Sequence, residues 1–204
     1  MAGEKTNRPV PRPDTLGRTL DATAVGALAF GAGVIAATGL AAALAFPTMR
    51  DLDPTLPGLG VAGDHWMIAA GSVMAPVFTI AVAVAGIAVA LAGLVWVGRT
   101  LRGGASAAAL VVRGVAILAA LAVVGYAQFV LLPRMNHNFA SFLAAARTGD
   151  APAAEGFRDA FDRDHPASSR ALGAIVTLTL VAAGAHAWPA PVGGRRRRSE
   201  APGS

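Results

Sequence analysis

Four long apolar stretches occupy most of this 204-residue chain, at about residues 22–46, 66–97, 108–132 and 170–188. A helix needs about 20 apolar residues to cross the hydrocarbon of a bilayer, and each stretch meets or nearly meets that length. The apolar region of a secretory signal peptide has only about 7 to 15 residues, so the first stretch is predicted to be a retained helix. The pattern therefore predicts an all-α protein, a bundle of four transmembrane helices.

The composition agrees with burial in lipid. Hydrophobic residues make up 54% of the chain and charged residues 14%, whereas about 25% of the residues in soluble domains are charged. The chain has no cysteine, which excludes disulfides and thiolate metal sites. Ionisable residues are nearly absent from the spans, which argues against a proton pump or ion-coupled transporter, because such pathways need charged groups at depth.

The polar segments define three regions of the chain. Residues 1–20 form a polar tail and residues 189–204 a basic one, and both are predicted to be disordered. The transmembrane domain between them covers residues 21–188. Its longest polar segment, residues 133–169, is predicted to be a loop between the third and fourth helices that contains two short helical stretches.

Single residues at the span ends and within one span have expected roles. Asp21 or Thr19 is expected to cap the first helix, and Arg113 is expected to snorkel from the third helix to the lipid headgroups. Pro76 lies inside the second span and is predicted to kink it, because the proline ring clashes with the carbonyl four residues earlier.

Lysine and arginine are distributed unequally between the two sides of the predicted bundle. The two tails and the 99–113 connection carry eleven of them, and the other two polar segments, counted through Arg170, carry six. Cytoplasmic loops have the excess of basic residues, so both termini are predicted to be cytoplasmic and the 133–169 loop extracytoplasmic. The compact Ala-, Gly- and Arg-rich chain is typical of bacteria, and the predicted location is the bacterial inner membrane.

The basic residues also predict partners. Those of the C-terminal tail are expected to bind anionic lipid headgroups, at about 1 kcal/mol each; they are Arg195, Arg196, Arg197 and Arg198. No aromatic residues interleave with them, so no nucleic-acid partner is predicted. The abundant glycine and alanine favour close helix contacts and leave a homo-oligomer open.

Three histidines lie at the predicted outer ends of the helices. His65 begins the second span, His137 follows the third and His165 precedes the fourth, whereas His186 lies too far away to join them. Imidazole is the commonest metal ligand and also binds haem iron, so one hypothesis is a zinc, copper or haem site. The favoured interpretation has no cofactor, because no two histidines have a diagnostic spacing, and assigns them capping, interfacial or loop-packing roles.

A short motif precedes the fourth span, with Phe161, His165 and Ser168 in the segment FDRDHPAS. Together with the FPTMR segment that ends at Arg50 and the LLPRM segment that ends at Met135, it resembles the DUF4149, or TMEM205-like, family of small four-helix membrane proteins. Leu172 stands where that family has an asparagine. His165 is expected to lie at the start of the fourth helix, where it and Ser168 bond exposed backbone groups.

The resemblance implies a four-span bundle of largely unknown molecular function. The family is distantly similar to copper-resistance D proteins and to membrane protoporphyrinogen oxidases of the haem-binding type, which supports the haem or copper hypothesis. No Ser-His-Asp order or carboxylate pair indicates an enzyme. The favoured function is a non-enzymatic multi-pass membrane protein; the alternatives are a haem- or copper-binding protein and an oligomeric small-solute transporter.

Overall fold

The computed structural model of the protein describes residues 15–60, 65–102 and 106–188, and their regular structure is entirely helical. Its elements are α1 (Thr15–Leu52), α2 (His65–Arg102), α3 (Ala107–Tyr126), a π-helical segment (Ala127–Leu131), α4 (Leu132–Thr148) and α5 (Ala151–Ala187). The helices α3 and α4 continue through the π-helical segment as one span. Four helices are thus long and apolar enough to cross a membrane, which confirms the predicted all-α, four-span architecture at this level.

The helices are longer than the apolar stretches from which they were predicted. Residues 15–20, assigned above to a disordered tail, belong to α1. Residues 1–14 and 189–204 lie outside the described residues, and the predicted lipid contacts of Arg195–Arg198 lie there too. Polar residues therefore extend the helices well beyond the apolar core at both ends of the bundle.

The predicted long loop at residues 133–169 is wrong, because this segment is helical except at one turn. Gly149 ends α4 with φ +74°, a left-handed conformation that glycine adopts without strain. Asp150 then caps α5 by accepting a hydrogen bond from the backbone N of Ala153 at 3.1 Å. The two short helical stretches expected in the loop are parts of α4 and α5.

The first and third predicted spans stop just before Pro47 and Pro133, but both prolines lie within helices. Pro133 lies in the first turn of α4, directly after the π-helical segment. In that segment the N–H of Leu132 bonds the carbonyl of Ala127, five residues back, which widens the turn before the proline ring. Pro47, Pro76 and Pro166 also lie inside continuous helices. A kink at Pro76 stays a prediction.

The four spans form a ring in which α1 packs against α2 and α5, and α3 packs against the same two helices. Helices α1 and α3 therefore lie diagonally opposite each other. We call the end with the α1–α2 connection and Gly149 the hairpin end, and the end with Thr15 and Trp188 the terminal end. All five prolines of the described helices, including Pro152 in the first turn of α5, lie in the hairpin half.

Small residues pack the terminal half of the bundle. A Cβ atom on Gly31, near the middle of α1, would lie 2.9 Å from Cβ of Ala88 and 3.3 Å from Cα of Ala85, so α1 and α2 nearly touch through their backbones. The buried core toward the terminal end continues with alanines from all four spans: Ala24, Ala92, Ala116, Ala120, Ala182 and Ala183. This half leaves little space between the helices.

The hairpin end is fastened by the connection between α1 and α2. The backbone N of Gly60 donates to the carbonyl of Ala146 at 2.7 Å, and a Cβ atom on Gly60 would lie 2.8 Å from Cα of Gly149. His65 accepts a hydrogen bond at Nδ1 from the backbone N of Leu56 at 2.9 Å. The connection is thereby held against the turn between α4 and α5.

Candidate functional site: an apolar cavity and a buried ionisable cluster

A cavity of about 600 Å³ lies between the four spans in the hairpin half. This volume is within the range of about 300 to 1,000 Å³ that is common for small-molecule sites. The large apolar side chains of its wall are Phe46, Met74, Phe78, Leu131, Leu132, Met135, Phe139, Phe161 and Leu172. Its polar side chains are few and come from α4 and α5: Asn136, His165, Ser168 and Ser169. The cavity thus combines a mainly apolar wall with a small polar patch.

The amide of Asn136 is held in place by α2. Its Nδ2 donates to Oγ1 of Thr79 at 3.3 Å, and that hydroxyl donates in turn to the backbone carbonyl of Ala75 at 3.0 Å. Three polar groups from two helices are therefore connected by consecutive hydrogen bonds. Asn136 presents an oriented amide to a cavity that is otherwise apolar.

His165 has a different position from the one expected. It lies in the interior of α5 and not at a helix start, because α5 begins at Ala151. Ser168 and Ser169 donate to its backbone carbonyl at 2.8 and 3.2 Å. Its ring packs against Phe161 with centroids 6.1 Å apart and makes no hydrogen bond to another described residue. The imidazole is therefore available to a molecule in the cavity.

All three residues of the family-like motif, Phe161, His165 and Ser168, line this cavity. A second cavity of about 190 Å³ shares Phe161 and His165 and extends toward Trp66 and Arg158. The ring of Phe139 lies between α2 and α5, 5.9 Å from the ring of Phe161. A Cβ atom on Gly71 would approach the Phe139 ring to 2.9 Å, so glycine makes room for that ring.

The structure does not bring the three outer histidines together. The Nδ1 atom of His65 is occupied by the N–H of Leu56, and His137 is exposed on α4 and does not line the cavity. Across residues 15–60, 65–102 and 106–188, no group of three or more His, Asp or Glu side chains is arranged to hold a metal ion. His137 and His165 lie on different helices, α4 and α5.

A second polar site lies at the terminal end and was not foreseen from the sequence. Asp21 of α1 lies with Oδ1 3.2 Å from Nη1 of Arg113 in α3 and 3.4 Å from Nδ1 of His186 in α5. Its Oδ2 lies 3.6 Å from Nη2 of Arg99 in α2. Arg113 also donates from Nε to the carbonyl of Ala185 at 2.9 Å and from Nη2 to that of His186 at 3.3 Å.

This cluster corrects two expectations. Asp21 does not cap α1, because the helix already begins at Thr15. Arg113 does not snorkel to the headgroups, because it is 3% exposed and bonded across the bundle. His186, predicted to lie too far from the other histidines to join them, contacts Asp21 instead. The sequence signal for this cluster was Asp21, a carboxylate at the edge of an apolar span, because such residues usually pair inside a bundle.

Comparison of this chain with protein-family models, with curated proteins and with solved structures found no match. The cavity and the ionisable cluster are therefore the features from which function is inferred.

Proposed function

We propose that this multi-pass membrane protein binds a lipid-soluble small molecule with one polar group, in the cavity of its hairpin half. The observation that carries the proposal is the cavity itself, with an apolar wall from four helices and an oriented amide and a free imidazole on one side. The binding function needs no catalytic residue.

The polar patch defines the class of ligand. Lipid tails are as apolar as the phenylalanine and methionine wall, so a hydrocarbon gains little by moving from the bilayer into the cavity. A hydroxyl or carbonyl group inside the bilayer lacks water and gains more from a hydrogen bond. Asn136 and His165 offer such bonds. The favoured ligand is therefore an amphiphile such as a quinone or a prenol.

The predicted location completes the proposal. With both termini in the cytoplasm of a bacterium, the hairpin end lies on the outer side of the inner membrane. The cavity then lies in the outer half of the bilayer, where a membrane-dissolved ligand can reach it without crossing an aqueous phase. Support for this orientation comes from the distribution of lysine and arginine along the chain.

The test is to fill the cavity and measure binding of a short-chain quinone, decylubiquinone, by native mass spectrometry. Gly39 lines the cavity, and a Cβ atom there would meet nothing within 4 Å. Gly39→Leu is expected to weaken binding at least about tenfold, a loss of about 1.4 kcal/mol, because its side chain takes ligand volume. His165→Ala is expected to weaken binding while leaving the protein folded.

Gly33 provides the matched control. It lies on the same helix and does not line the cavity, and a Cβ atom there would also meet nothing within 4 Å. Gly33→Leu is expected to bind decylubiquinone with the affinity of the wild-type protein. Equal affinity of the Gly39→Leu and wild-type proteins would contradict the proposal.

Haem binding is a second candidate, favoured by the donor atoms on the cavity wall. His165 offers an imidazole without a hydrogen bond to the described residues, and Met74 and Met135 line the same space. Histidine and methionine are axial ligands of haem in many proteins, so the residues fit the group. Haemin added to the wild-type protein would give a Soret shift that His165→Ala abolishes; no shift, or one that persists in His165→Ala, excludes this candidate.

A further inference from the structure

The ionisable cluster at the terminal end joins all four spans through one carboxylate. Asp21 lies on α1, and its partners Arg99, Arg113 and His186 lie on α2, α3 and α5. Because α1 and α3 are diagonal in the ring, the ion pair between Asp21 and Arg113 crosses the bundle. The side chain of His186 is 0% exposed. The cluster therefore ties together the helix ends that close this side of the molecule.

His186 has one nitrogen with a partner and one without. Its Nδ1 faces a carboxylate oxygen, which can only accept, so in the neutral ring the proton lies on Nδ1. The Nε2 atom then carries a lone pair, is buried, and has no hydrogen-bond partner among the residues that the structure describes. A buried acceptor without a donor is a place where a proton can bind.

The charges around the ring decide what a second proton would do. The groups that face His186 from the neighbouring helices are Asp21, Arg99 and Arg113, one negative and two positive charges. The carbonyls at the C-terminal end of α5, which accept from Arg113, add only the partial negative charge of a helix end. A protonated His186 would be a third positive charge beside a single carboxylate, and burial strengthens that repulsion.

We propose that His186 is a proton-binding site and that its protonation loosens the terminal end of the bundle. Neutral His186 donates to Asp21 and holds α5 against α1. The protonated ring is repelled by Arg99 and Arg113, and the C-terminal turns of α5 move away from the small residues against which they pack. The site is separate from the cavity and does not depend on the ligand proposed for it.

The absence of cysteine from the chain allows a direct test. A single cysteine replaces Ala182, which is 0% exposed next to the cluster, and its reaction with a dipyridyl disulfide is followed in detergent. Lowering the pH from about 8 to about 5, across the usual titration range of histidine, is expected to raise the rate about tenfold relative to an exposed cysteine at Ala151. That normalisation removes the effect of pH on the thiol itself.

Two further proteins make the test specific. Ala85→Cys, 0% exposed at the middle of α2 and away from the cluster, is expected to react slowly at both pH values. His186→Asn, combined with Ala182→Cys, keeps a donor near Asp21 but cannot take up a proton, and is expected to lose the pH dependence. Folding of each variant is checked by size-exclusion chromatography.

Three results would overturn the proposal. One is an unchanged relative rate at Ala182→Cys across the pH range, and another is a pH dependence that persists with His186→Asn. The third is an equal acceleration at Ala85→Cys, which would show that the whole bundle opens. If His186→Asn does not fold, His186→Gln takes its place, with the same expected loss of pH dependence.

Discussion

Replacing Asp21 by alanine is expected to lower the free energy of unfolding by about 3 to 5 kcal/mol, the usual cost of removing one partner from a buried ion pair. The reason is that Arg113, with a side chain 4% exposed, would keep its charge without a carboxylate beside it. The loss also removes the acceptor for Nδ1 of His186. Reversible unfolding in mixed micelles of a mild detergent and dodecyl sulfate measures the change.

A matched control lies on the same helix. Asp51 pairs with Arg50 at 3.8 Å, but the two side chains are 76% and 65% exposed. Asp51→Ala is expected to cost about 0 to 1 kcal/mol, as exposed ion pairs do. Adding Arg113→Met to Asp21→Ala should restore part of the stability, because it removes the stranded charge. Equal losses for Asp21→Ala and Asp51→Ala would mean that the cluster is not buried as described.

Gly114→Ala is expected to lower the free energy of unfolding by about 2 to 4 kcal/mol relative to Gly125→Ala, through overpacking and a lost hydrogen bond. A Cβ atom on Gly114 would lie 2.6 Å from Cζ2 of Trp96. The indole cannot move aside without breaking the 2.8 Å bond from its Nε1 to the carbonyl of Leu110. The packing of α2 against α3 would be lost around Trp96 and Gly114.

Gly125 supplies the reference because it lies on the same helix and a Cβ atom there would meet nothing within 4 Å. Both changes gain the same helix propensity, about 1 kcal/mol, so the comparison cancels it. The emission maximum of Trp96 is expected to shift in Gly114→Ala and to stay unchanged in Gly125→Ala. Equal stability and equal emission maxima for Gly114→Ala and Gly125→Ala would contradict the contact between Gly114 and Trp96.

The architecture could be predicted because the length of an apolar run is a direct measure of membrane crossing. The ends of the helices could not, and the segment from Pro133 to Ser169 shows why. Its polar residues and prolines are typical of a loop, but packing of α4 against α5 and the bidentate ion pair of Arg134 with Asp164, at 2.7 and 2.6 Å, favour helix. Those contacts join residues that are distant in the sequence.

The candidate sites were predicted only in part. His165 and its motif were recognised, but the cavity beside them depends on side chains from four helices whose register the sequence does not state. The cluster around Asp21 was missed because Asp21 and Arg113 each have an ordinary explanation when taken alone, as a helix cap and as a snorkelling arginine. Only the ring order of the helices brings Asp21, Arg113 and His186 together.

The π-helical segment sets the rotation of α4 relative to α3 about their common helix axis. A π turn holds one residue more than a regular helix would place there, and one residue corresponds to a rotation of about 100°. The alanines of α3 that pack the terminal half, Ala116 and Ala120, and the residues of α4 that face the cavity, Asn136 and Phe139, therefore point inward on the same span. One additional residue at Ala127–Leu131 lets a single helix serve a tightly packed half and a hollow half at once.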